Sequence, residues 1–193
     1  MKKIIAKIFS PWGLVPLIMA LLCNFAVYSG CNALTRNWNL HSLAIPLDMQ
    51  IPLIPWTIVI YFGCYIFWII GYLYNAAMDK RHCYRFLMAD WLAKAVCFIC
   101  YVVYPTTNTR PEIVGSDIWA QLMRFLYSMD AADNLFPSIH CLVSWLCYIG
   151  IRGNKKVPQW IRTTFCICAI AVFISTLTTK QHVIYHMLLR SQC

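Results

Sequence analysis

The stretch IPWTIVIYFGCYIFWIIGYLYNAAMDKRHCYRFLMADWLAKAVCFICYVVY, Ile54–Tyr104, decides the fold. It holds two apolar runs, Ile54–Ala77 and Phe86–Tyr104. Each is close to the roughly 20 residues that an α-helix needs to cross a bilayer. Lys80, Arg81 and Arg85 lie between them, a cluster of the kind that stays on the cytoplasmic side. Trp56, Tyr101 and Tyr104 sit at the outer ends, where aromatic rings favour the lipid headgroup level.

Working outward, three more runs read as spanning helices: Trp12–Gly30, Ile139–Ile151 and Ile161–Thr178. Ile139–Ile151 is short unless its helix starts near Leu135. The run from Trp12 to Tyr28 is long for a cleaved leader, and no small-residue cleavage site follows it, so a retained first helix is expected. Composition agrees: of 193 residues, 61% are hydrophobic and only 12% charged, where soluble domains carry about a quarter. The expected fold is all-α, an integral membrane helical bundle of about five spanning helices plus a short interfacial one. It forms a single domain over 1–193, with N-terminal spanning helices in 1–100 and a polar motif region in 101–186. The interfacial helix is SDIWAQLMRFLYSM, Ser116–Met129, whose apolar residues recur at helical spacing behind a Ser or Asp cap.

The net charge of +9 is distributed as short patches between apolar runs, which argues for membrane topology and against nucleic acid as a partner. Lys2, Lys3 and Lys7 precede the first helix, and Arg152, Lys155, Lys156 and Arg162 follow the fourth. The alternate loops are poorer in cations. This places the N-terminus in the cytoplasm and the first and third loops outside. The 11 cysteines show no metal-like or paired spacing and read as small apolar packing residues, Cys97 and Cys100 included. Lys94, inside the third run, marks either a polar interior or a side chain snorkelling to the interface. The acids Asp130 and Asp133 read as solvated loop residues, and the aromatic residues of Trp56–Tyr74 as packing or lipid-facing ones.

Three polar stretches fall at the outer helix ends: YPTTNTRPE (Tyr104–Glu112), FPSIH (Phe136–His140) and STLTTKQH (Ser175–His182). Together they offer a guanidinium, a hydroxyl, an ammonium and two imidazoles. Arg110 suits a phosphate because its planar fork donates two hydrogen bonds at once. Lys180 adds a point charge. Ser138 and the N–H groups at the start of the fourth helix suit anionic oxygens, and Ser138 also suits a helix cap. Two histidines suit a division of labour between attack on phosphorus and protonation of a leaving oxygen.

These stretches resemble the motifs of the phosphatidic acid phosphatase / lipid phosphate phosphatase superfamily: Lys-x6-Arg-Pro, Pro-Ser-x-His and Ser-Arg-x5-His-x3-Asp. The resemblance covers Val103 to His186, and the middle motif is complete as Pro137-Ser138-Ile139-His140. It implies His182 as the nucleophile that forms a phosphohistidine and His140 as the general acid. Arg110, Ser138 and Lys180 would hold the phosphoryl oxygens, with no metal or other cofactor. Val103 stands where the pattern has Lys, Thr176 where it has Arg, and His186 where it has the Asp that orients the nucleophile. By analogy with a Ser-His-Asp triad, loss of that carboxylate costs up to roughly 10⁴-fold in rate.

The family also has a sixth spanning helix. VIYHMLLRSQC, which follows His182, covers at ~1.5 Å per residue only about half of an ~30 Å hydrocarbon core. The resemblance thus implies a six-helix bundle lacking its last helix. Three functional expectations follow, and membrane lipids are partners in all of them. One is a cell-membrane hydrolase acting on lipid phosphomonoesters or prenyl diphosphates at the extracytoplasmic face. Another is a phospholipid-headgroup transferase using the same phosphohistidine. The last is a catalytically inactive, truncated member of the family.

Overall fold

The computed structural model describes residues 11–35 and 37–184. His186, Arg36 and the lysines of the first ten residues lie outside them. The described chain is an all-α bundle. Its helices are α1 (Pro11–Thr35), α2 (Pro46–Gln50), α3 (Ile58–Met78), α4 (Lys80–Val103), α5 (Ile118–Met129), α6 (Ile139–Arg152) and α7 (Gln159–Thr178). Four of these helices, α1, α3, α4 and α7, are long and apolar enough to cross a membrane, and α6 is a shorter apolar helix. The protein is an integral membrane protein.

The expected loop between the second and third runs is a single residue. Asp79 ends α3, and its carboxylate caps α4 by accepting from His82 N at 2.9 Å. Lys80, Arg81 and Arg85 therefore lie in the opening turns of α4 instead of in a loop, because a capped helix can begin in the headgroup layer where cations are solvated. The buried residues of α3 (Tyr61, Cys64, Trp68, Gly71, Asn75) recur every three or four positions and face α6 and α7. At Gly71 a Cβ would sit 2.5 Å from Cys147 Sγ, so the missing side chain is what lets α3 and α6 approach. Cys31, Cys64, Cys97 and Cys147 are buried in this core.

α1 is the peripheral helix. Leu21, Leu22 and Phe25 are exposed toward the position of lipid, while its inner face packs along α4. Lys94 belongs to that contact and does not snorkel: it is only 1% exposed and pairs with Asp90 at 2.8 Å. Its ammonium also donates to Ala20 O at 3.2 Å and Tyr72 Oη at 3.4 Å, joining α1, α3 and α4. α5 is capped by Asp117, which accepts from Trp119 N and Ala120 N, and packs Met123 and Leu126 on Ile58 and Tyr61. A short parallel strand pair, β1 (His41–Ser42) with β2 (Thr106–Thr107), ties the first connection to the segment after α4.

Breaking the buried pair from one side should be costly. Asp90→Ala leaves a lysine charge uncompensated and should lower stability by about 3–5 kcal/mol, whereas Asp90→Leu with Lys94→Met should cost far less. Thermal unfolding in detergent would show this; equal losses for both variants would contradict it.

Candidate active site

The polar stretches at one end of the bundle are bound together by hydrogen bonds. Thr106 Oγ1 accepts from Leu135 N and Phe136 N, both at 3.0 Å. Asn108 Nδ2 donates to Lys180 O at 3.0 Å, and Tyr127 Oη donates to Thr179 O at 3.0 Å. Thr107 also bridges to Asp133.

The last of these stretches is shaped by the end of α7. Lys180 adopts φ 56, the left-handed conformation that usually falls to glycine just past a helix end. Its N–H donates to Leu177 O at 3.1 Å, while Gln181 N and His182 N both donate to Thr176 O at 3.0 Å. This is a Schellman-type end, and it turns the chain so that His182 folds back beneath the helix. The imidazole is 7% exposed, with Nδ1 3.1 Å from Leu135 O. A carbonyl only accepts, so Nδ1 carries a proton, which in a neutral ring leaves the lone pair on Nε2.

His140 sits in the first turn of α6. Ser138 caps that helix by accepting from Cys141 N at 3.3 Å. The His140 ring packs against Tyr61, Tyr65 and Trp68, and its centroid lies 5.9 Å from that of His182. Its Nε2 is buried without a hydrogen-bond partner. Both histidines line a cavity of about 470 Å³ between α1, α3, α5 and the segment before α6.

The other three expected residues do not line this cavity. Each makes hydrogen bonds within the protein. The Arg110 guanidinium donates to Asp130 O, to Ala131 O at 3.2 Å and to the Gln181 side chain, and lies 4.8 Å from the centre of the Tyr127 ring. The Lys180 ammonium donates to Asp48 O at 2.8 Å and to Ile51 O, at the far end of α2. The Ser138 hydroxyl oxygen accepts the cap bond. The physical reason is common to all three: irregular backbone at a bundle end leaves carbonyls and N–H groups that need partners.

Residues read as bystanders line the cavity: Phe62, Tyr65 and Trp68, with Asp130 and Asp133. The Asp130 carboxylate accepts from Tyr28 Oη and from Tyr61 Oη at 2.9 Å. Asp133 Oδ1 is buried with no hydrogen-bond partner. Burial, and then the neighbouring Asp130, push the Asp133 carboxyl above the usual range, with Arg110 opposing. Tyr28 lies 102 residues from Asp130, a pairing that no local pattern announces.

No family model, curated protein or solved structure matches this chain.

The raised Asp133 carboxyl binds protons more readily folded than unfolded, so it costs stability as pH rises through its folded value. Asp133→Asn should therefore raise the melting temperature at pH 7, with the gain shrinking as pH falls toward the ordinary carboxylate range near 3.9. A gain independent of pH, or a loss, would contradict the assignment.

Proposed function

We propose that this protein transfers the phosphoryl group of a membrane lipid phosphate through a phosphohistidine at His182, as an enzyme of the phosphatidic acid phosphatase type. The observation that carries this reading is the pair of imidazoles on one cavity, with His182 Nδ1 held by Leu135 O. Ring centroids 5.9 Å apart are close enough for both imidazoles to serve one phosphoryl group.

The His182 Nε2 lone pair attacks phosphorus, and the bond from phosphorus to the lipid oxygen breaks. His140 gives its proton to that departing oxygen, which leaves as the alcohol. In the second half, neutral His140 takes a proton from the incoming water or lipid hydroxyl. The new oxygen–phosphorus bond forms as the nitrogen–phosphorus bond breaks, which restores both rings. The Leu135 carbonyl fixes the tautomer of His182, the role that a carboxylate plays in a triad. It lacks a full negative charge, so a slower attack is expected than with a carboxylate partner.

The largely apolar and aromatic cavity wall suits the hydrocarbon part of the substrate. The opposite end of the bundle carries Lys80, Arg81, Arg85, Arg152, Lys155, Lys156 and Arg162. That asymmetry favours a cytoplasmic position for it and an extracytoplasmic one for the histidines. Water as acceptor gives hydrolysis, and a lipid hydroxyl gives the headgroup-transfer variant of the same chemistry.

Phosphate release from a panel of lipid phosphates and prenyl diphosphates, with purified protein in detergent, tests the reading. His182→Ala should lower release at least about 10³-fold, and His140→Ala about 10²–10⁴-fold. Acid-labile phosphate should be trapped on the wild-type chain and not on His182→Ala. Folded wild type that releases no more than His182→Ala would overturn it.

A further inference from the structure

The bundle end opposite the histidines presents cations that form no ion pair. Lys80, Arg81 and Arg85 are exposed in the opening turns of α4. Among the described residues Lys94–Asp90 is the one ion pair, so no carboxylate pairs with these three. Asp79, next to them in sequence, accepts from His82 N as the cap of α4. Even with Asp79 counted, three cations face one carboxylate. The first turn of α4 holds no acidic residue, so the positive end of the helix dipole adds to the three charges. An anion from outside the chain relieves both.

Their arrangement goes beyond a topology signal. Lys80, Arg81, Tyr84, Arg85 and Met88 line one open groove. At about 100° per residue these positions fall within an arc of about 140° on one helix face. Two arginine forks and an ammonium converging there match a phosphomonoester, which offers several oxygens and close to two charges. A monoanionic diester leaves more of the cationic charge uncompensated. Deeper along the same face Met88, Leu92 and Ile99 are exposed toward the position of lipid. From Met88 to Ile99 that stripe rises about 16 Å, the depth of one leaflet of an ~30 Å hydrocarbon core. Cations at headgroup level running into an apolar stripe suit a phospholipid better than a free phosphate.

We propose that this groove on α4 binds a phospholipid whose head group carries a phosphomonoester, with its oxygens held by Lys80, Arg81 and Arg85 and an acyl chain along Met88, Leu92 and Ile99. The site is independent of the phosphoryl-transfer reading. The 24 residues of α4, about 36 Å, separate it from the end that holds His140 and His182. It is a place of attachment for the lipid, and no bond is made or broken there.

Calorimetric titration of the purified protein in detergent tests this. The probes are dioctanoyl phosphatidylinositol bisphosphate, dioctanoyl phosphatidylserine and free inositol trisphosphate. The bisphosphate lipid should bind about tenfold or more tighter than either of the others. Arg81→Gln with Arg85→Gln should weaken its binding about tenfold or more, whereas Lys155→Gln with Lys156→Gln should weaken it less than about threefold. The second pair removes the same charge from the same end without touching the groove. All four residues are exposed, and thermal unfolding checks that both variants keep the fold. Equal losses in the two variants mean diffuse charge attraction and overturn the proposal. Free inositol trisphosphate or phosphatidylserine binding as tightly as the bisphosphate lipid overturns it as well. His182→Ala should bind the lipid as wild type does; a loss there assigns the lipid to the histidine cavity and overturns the groove. None of these outcomes depends on phosphate release, so the groove and the phosphohistidine stand or fall separately.

Discussion

A peptide group inside hydrocarbon must find its hydrogen-bond partner within the protein. The helices meet that demand by themselves, and the bundle end that carries the histidines does not. There the chain runs irregularly between α4 and α5, between α5 and α6, and past α7. Thr106, Asn108, Arg110, Tyr127 and Lys180 each give a side chain to backbone groups of another segment. The polar residues that look in sequence like a phosphate cradle are, in the structure, the fastening of that irregular end. This fastening holds the segments that carry the histidines.

The same bookkeeping explains what could be read from the sequence. Apolar runs of spanning length are a one-dimensional signal, so α1, α3, α4 and α7 were legible, and the amphipathic period of α5 with its Asp117 cap was as well. The convergence of the three polar stretches followed from counting helices up and down. The direction of each side chain did not follow. Arg110 has a motif position, but its partners are carbonyls of Asp130 and Ala131, and nothing local reveals them. Asp130 and Asp133 looked solvated because acids in loops usually are. Their setting depends on Tyr28 and Tyr61, contributed by helices far earlier in the chain.

The orienting group of His182 is a similar case. The family pattern leads one to look four residues onward for a carboxylate, and this chain has His186 there. Among the described residues, the structure supplies Leu135 O to the Nδ1 of His182, brought in from the segment before α6 by Thr106, which holds Leu135 N and Phe136 N. A backbone acceptor leaves no trace in a motif, because every residue type carries one.

The short helix α6 has a consequence for how the protein meets its bilayer. Its 14 residues rise about 21 Å, well under the ~30 Å of a hydrocarbon core. A lipid-facing helix of that length would thin the membrane around it or tilt its neighbours. From Ile139 to Ile151, however, every residue of α6 is buried or half-buried, so the annular lipids meet the longer helices instead. Hydrophobic mismatch is then felt by the frame and not by α6. The depth of His140 is set by how that frame sits in the bilayer.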